Sequence, residues 1–166
     1  KARALEPDNP SIYNTMAAYY SDYKELYSLA IENTKKAISL EYGPDSDKAR
    51  YYSNLSVHFE NQNDYKSALE AADKAIELDP TSAVGYKQKG SLLSSSSDIG
   101  KKEEGKKLLL KTLELNEKDK LFEPIHLDYI YYKLAETEIE LKDYTNAKMY
   151  VMKALEIDPN DKDSQK

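Results

Sequence analysis

Two histidines, His58 and His126, are the side chains best suited to proton transfer or metal ligation near neutral pH. They stand 68 residues apart in a chain without cysteine, and neither has a carboxylate pair clustered beside it. Acid–base and metal chemistry therefore find no constellation here, and packing or surface roles are expected for both. Ser94 to Ser97 form an unbroken run of hydroxyls. Such a run serves as a flexible turn far more readily than as a phosphorylated switch, and the turn is the reading preferred. Lys101 to Lys107 carries four lysines, but Glu103 and Glu104 interrupt them, so a solvated helix face is expected rather than a nucleic-acid patch. A glycine-rich phosphate loop and a G-x-S-x-G elbow are both absent. What remains is 15 tyrosines, rings with an apolar body and a polar tip that suit recognition more than reaction. No catalytic residue, cofactor or metal is expected, and the chain does not read as an enzyme.

The composition points the same way. Of 166 residues, 33% are charged and 40% hydrophobic, which suits a soluble globular chain with a sizeable core. The formal net charge of −6 gives no electrostatic footprint for nucleic acid. No apolar run approaches the roughly 20 residues of a membrane helix, and Leu108-Leu109-Leu110 is flanked by lysines. Membrane insertion is not expected. The compartment stays open, with the cytoplasm slightly preferred over a periplasmic or extracellular location.

Internal self-similarity identifies the elements that carry these residues. Asp64 to Pro80 (DYKSALEAADKAIELDP) and Asp143 to Pro159 (DYTNAKMYVMKALEIDP) agree at eight of 17 positions. Leu26 to Tyr42 matches the first of these at seven of 17, and Lys101 to Glu117 keeps the ending KTLELNE. The opening KARALEP matches KAIELDP at Lys, Ala, Leu and Pro, so the chain is expected to begin inside a helix of a preceding repeat and the native protein to extend at that end. Tyr65, Ala68, Leu69, Ala72, Ala75 and Ile76 keep helical spacing while Lys66, Glu70, Asp73 and Lys74 face water. The residue before a proline avoids the α region, so Asp79-Pro80 and Asp158-Pro159 close their helices. An amphipathic stretch precedes each copy, as at Tyr52, Leu55, Ser56 and Phe59, and two helices so briefly linked must pack antiparallel.

Small residues recur in phase. Ala17, Ser56, Gly90 and Ala135 hold one position of the first helices; Ala30, Ala68, Gly105 and Ala147 hold one position of the second. Small side chains on both sides let the backbones approach where the helices cross. Ala37, Ala75, Thr112 and Ala154 form a third set, where the next repeat presses in.

The pattern of large residue, leucine, small residue and aromatic, then Ala, Ala and Pro, resembles the tetratricopeptide repeat. It reads Tyr52, Leu55, Ser56, Phe59, Ala68, Ala72, Ala75 and Pro80 in the second copy, and Tyr131, Leu134, Ala135, Glu138, Ala147, Val151, Ala154 and Pro159 in the fourth. The first copy has Tyr13, Met16, Ala17 and Tyr20; the third, and weakest, has Tyr86, Lys89, Gly90 and Leu93. The resemblance implies an all-α fold, an α-solenoid built as a right-handed superhelix of antiparallel helix pairs. About four units follow the tail of a preceding one. The expected divisions of this single array are 1–9 for that tail, 10–46, 47–82, 83–120 and 121–160 for the repeats, and 161–166 for a polar tail.

The marker tyrosines at 13, 52, 86 and 131 are spaced by 39, 34 and 45 residues. The first excess lies mostly in Gly43-Pro44-Asp45-Ser46-Asp47, a linker similar to those of the longer kinesin-light-chain-like repeats. The second divides between Ser94–Gly100 and Lys120–Leu127. Pro124 suits a first helical turn, so the fourth repeat's first helix is expected to start near Glu123 and to run about a turn longer than usual.

In the family the concave groove, lined by first helices, binds an extended or helical segment of a partner protein. Carried over by register, the resemblance places Asn14, Arg50, Ser53, Val57, Lys87, Ser91, Tyr129, Tyr132 and Glu136 on that surface, with Arg50 and Lys87 able to orient an acidic segment. Tyr129 and Tyr132 lie three apart on one helix, apart from the packing residues Tyr131, Leu134 and Ala135. The chaperone-binding subclass needs a lysine, asparagine and arginine clamp. Neither Asn14, Ala18, Asn54, Val84 and Gln88 nor Ser53, Val57, Gln88, Tyr129 and Lys133 supplies it. The function expected is a protein-interaction scaffold. The alternative is a structural or spacer segment that self-associates through exposed end repeats into a homo-oligomer.

Overall fold

A helix leaves backbone groups unpaired at both ends, and side chains here supply partners for them. In the computed structural model, which describes residues 8–119 and 124–157, the helices are α1 Pro10–Lys24, α2 Tyr27–Leu40, α3 Asp45–Asn61, α4 Tyr65–Leu78, α5 Ala83–Ser94, α6 Ile99–Asp119, α7 Pro124–Glu140 and α8 Tyr144–Ile157. The aspartates that open two of the 17-residue copies are caps: Asp64 Oδ1 accepts from the Ser67 N–H at 3.1 Å and Asp143 Oδ1 from the Asn146 N–H at 3.1 Å. Hydrogen bonds from Ser67 and from Asn146 hold these two carboxyls below the usual aspartate pKa. Asn9 caps α1 in the same way, from the Ser11 N–H at 3.0 Å, with Pro10 at the first position. The stops are as legible. Helix α4 ends before Asp79-Pro80, and Asn63 and Lys142, at equivalent places after α3 and α7, take left-handed φ of 64° and 63°.

The fold class is all-α, an α-solenoid of helix pairs, with no strand among the described residues. Two compact units divide within α5, one up to Gln88 and one from Lys89 onward. In the first unit α1 packs on α2, α2 on α3 and α3 on α4. Its core joins Tyr13, Ala37 and Tyr51 in one cluster and Ile31, Leu55 and Ala71 in another. In the second unit α6 packs on α7 and α7 on α8, around Leu109, Ile130, Leu134, Ala135 and Tyr150.

All three sets of small residues are buried. The Ser56 hydroxyl donates to the Ala68 carbonyl at 2.7 Å, so a small side chain of α3 meets the backbone of α4. At Gly105 no side chain fits at all, since a Cβ would stand 2.8 Å from the Gly90 carbonyl oxygen. Gly105 is therefore a packing requirement rather than the weakness its low helix propensity suggests.

Several expectations need correcting. Tyr65, whose spacing put it with the packing residues, is exposed, as is Tyr144 at the equivalent place of the fourth copy, each being the first residue of its helix. Tyr51 takes a core position instead, and Tyr150 stacks on Tyr131 at 6.3 Å. The Lys101–Lys107 segment is only partly a solvated face. Lys102 is buried against Glu140, and Lys106 pairs at 3.2 Å with Glu138, which is 2% exposed. Both lysines lie on the side of α6 that faces α7, one turn apart. Ser94 is the buried last residue of α5 and not part of the exposed turn. Helix α7 starts at Pro124, beside the expected Glu123, and its 17 residues exceed the 15 of α1 and the 12 of α5 while equalling those of α3. Residues 1–7, 120–123 and 158–166 lie outside the described ones, and with them the opening tail, the Asp158-Pro159 stop and the polar tail.

Candidate functional site

The first helix of a pair offers two faces: one sealed against its partner, the other left to neighbouring first helices and to ligands. In the unit up to Gln88 that second face is joined by polar side chains. Asn54 Nδ2 donates to Asn14 Oδ1 at 2.9 Å and Asn61 Nδ2 to Ser21 Oγ at 3.3 Å, so α3 is bonded to α1 twice. Gln88 Nε2 donates to Glu60 Oε2 at 2.6 Å, bonding α5 to α3. A surface so joined is preorganised, because its amides are already held in place.

The cations on this face are engaged. Arg50 lies 3.6 Å from Asp47 and stacks over the Tyr51 ring at 4.6 Å. Burial pushes the Lys87 pKa below the ordinary lysine value while nearby Glu60 opposes the shift. Both positive charges thus have a carboxylate close by, which weakens the expectation that they orient an acidic segment. Val57 and Asn14 are partly exposed, whereas Ser53 is 3% exposed and cannot present its hydroxyl to a ligand. His58 is buried, with Nδ1 lacking a hydrogen-bond partner. Burial lowers its pKa, and Asp22 works weakly the other way. Among the described residues no group of His, Asp and Glu could hold a metal ion.

In the unit from Lys89 onward the face belongs to α7. Ile130, Leu134 and Ala135 point into the core, leaving Tyr129 at 45% exposure with Tyr132 and Glu136 partly exposed. The Tyr132 hydroxyl lies 3.5 Å from Glu136 Oε1, and Lys133 Nζ donates to Glu136 Oε2 at 2.7 Å. Lys133 also reaches Ser95 Oγ in the α5–α6 turn at 3.0 Å. Burial works against the charge on Lys133, but the hydrogen bond and charge of Glu136, with Tyr129 and Tyr132, raise its pKa above the usual lysine value. Ser91 is 3% exposed with its hydroxyl unpartnered, so like Ser53 it belongs to the interior. Register reasoning weighed Asn54, Gln88 and Lys133 only as parts of a clamp and missed their pairing with Asn14, Glu60 and Ser95. Asn14–Asn54 and Ser21–Asn61 both lie 40 residues apart, close to the first marker spacing of 39, and that match was the available signal.

Residues 49–82 and 129–161 each match the tetratricopeptide repeat family. No curated protein sequence matches the chain significantly. Among solved structures it is similar to MamA, at 22% identity over 95% of this chain and 83% of that one, with a TM-score of 0.69. It is also similar to YrrB, described as a TPR protein with an unusual peptide-binding site, at 19% identity over 99% of this chain and 76% of that one, TM-score 0.67. A third likeness is to pilF of Pseudomonas aeruginosa, at 21% identity over 96% of this chain and 64% of that one, TM-score 0.75. At these identities the likeness is one of fold.

Proposed function

The chain is a tetratricopeptide-repeat protein, and from that premise we propose that it is an interaction scaffold whose first-helix faces bind a segment of a partner polypeptide. Folds of this family are typically non-catalytic and serve protein–protein interaction. No helix among the described residues is long and apolar enough to cross a membrane.

One observation carries the finer reading: Tyr129, Tyr132 and Glu136 lie together on the open side of α7 while the core positions of that helix are filled by other residues. Adjacent tyrosine rings lose little rotamer entropy on binding and combine apolar area with a hydroxyl. Asn14, Arg50, Val57 and Lys87 contribute the corresponding positions in the other unit; Ser53 and Ser91 shape the faces from beneath. The test is a selection of displayed peptides for binding, repeated with Tyr129→Ala/Tyr132→Ala. Lost binding with an unchanged melting temperature supports an anchor. A large loss of stability makes the two rings structural and overturns it.

A second reading, self-association of a structural segment, is favoured by exposed apolar side chains at the first and last described helices. Tyr19 and Tyr23 of α1 are 50% and 76% exposed, and Met149 and Met152 of α8 are 39% and 55% exposed. Exposed apolar surface of this kind invites a cover.

A further inference from the structure

Ser95 differs from the other three serines of its run. Ser94 is buried at the end of α5, while Ser95 begins the exposed turn before α6. Only Ser95 has an acidic residue, Asp98, three positions C-terminal to it. Its hydroxyl donates to the Ser91 carbonyl at 3.1 Å and accepts from Lys133 Nζ of α7 at 3.0 Å. Lys133 is in turn bonded to Glu136 at 2.7 Å, and its side chain is only 13% exposed. An accessible hydroxyl thus rests against a cation already shared with the tyrosine face.

We propose that Ser95 is a phosphorylation site whose phosphate is received by Lys133, and that the transfer regulates the Tyr129–Tyr132–Glu136 face; the regulatory half rests on the docking function proposed above. A protein kinase with a basic substrate groove reads Asp98, and a nucleoside triphosphate supplies the phosphoryl group. The bond from the γ-phosphorus to the bridging oxygen breaks and a bond to Ser95 Oγ forms. The hydroxyl proton passes to the base of the kinase, and the nucleoside diphosphate leaves. The new group carries about −1.5 to −2 charges and three acceptor oxygens. It outcompetes the single charge of Glu136 for Lys133, because the ammonium follows the greater negative charge. Glu136 is then left with the Tyr132 hydroxyl alone, and the face favours a lysine- or arginine-bearing segment.

The experiment uses the whole chain with phosphoserine installed at 95, followed by phosphorus NMR across pH, in the native background and with Lys133→Met. An ordinary phosphoserine titrates near pH 6. The midpoint is expected below that value in the native background and about half a unit or more higher with Lys133→Met. Equal midpoints overturn the proposal. Should Lys133→Met unfold, Glu136→Gln tests the opposite sign: removing the rival carboxylate should lower the midpoint further, and an unmoved midpoint overturns it. In a second arm, unmodified protein is treated with an acidophilic kinase and a nucleoside triphosphate and mapped by mass spectrometry. Ser95 should carry the phosphate in preference to Ser94, Ser96 and Ser97; label confined to the other three refutes it. None of these readouts needs a partner, so failure here is distinguishable from failure of the docking reading.

Discussion

At Gly105 the backbone of α6 meets that of α5 with no room for a methyl group, since a Cβ would press on the Gly90 carbonyl and on the backbone at Ser94. Helix propensity alone favours alanine there by about 1 kcal/mol, so propensity and packing predict opposite signs. Gly105→Ala is expected to destabilise by roughly 1–3 kcal/mol in urea unfolding, the usual cost of overpacking. A gain in stability would show that the crossing yields freely. His58 gives a second single-residue test. Burial lowers its folded pKa below the usual histidine value, so the unfolded chain takes the proton first. The stability it contributes is complete above pH about 6.5 and is lost as pH falls through the lowered folded value. His58→Gln should flatten the pH dependence of stability on the acid side of 6.5; an identical slope would place the acid sensitivity elsewhere. Repeat phase showed where small residues must go but not which of two neighbouring tyrosines is core. Tyr51 is buried and Tyr52 only partly so, because that choice depends on how α3 rolls against α2.

The helices themselves were plain in the sequence. Aspartate caps, proline stops and 3.6-residue spacing are local signals, and the second and fourth copies carry all three in their sequence, whereas the first copy opens on Leu26 without a side-chain cap and ends without a proline. The contact between α6 and α7 was hidden, because it depends on which charged residues turn inward. Glu138 occupies the place that Tyr20 and Phe59 hold in other copies, and a carboxylate at an aromatic position was the clue that a cation must meet it. Lys106 is that cation. Removing it with Lys106→Met leaves Glu138 buried and unpaired, and should cost roughly 1–3 kcal/mol, below the 3–5 of a fully buried pair because Lys106 is partly exposed. Adding Glu138→Phe should recover most of that loss in the same thermal or urea experiment. A double variant no better than the single one would mean that the acid is needed for more than its partner.

On the scale of the whole molecule, repetition made the fold readable while the candidate binding surface stayed partly obscure. Spacings of 39, 34 and 45 residues preserved phase well enough to assign first and second helices. Register then named nine surface positions, and the burial of Ser53 and Ser91 removes two from direct contact. Small polar residues give no pattern signal of burial, whereas the exposure of Tyr129 was legible because its neighbours had already filled the core. Sedimentation combined with thermal unfolding, over a range of protein concentrations with and without a selected peptide, tests the scaffold reading most directly. The protein is expected to stay monomeric, and peptide at 100 times its Kd should stabilise it by about 2.7 kcal/mol, an effect lost in Tyr129→Ala/Tyr132→Ala. Concentration-dependent self-association with a melting temperature indifferent to peptide would contradict it and make the chain a structural segment.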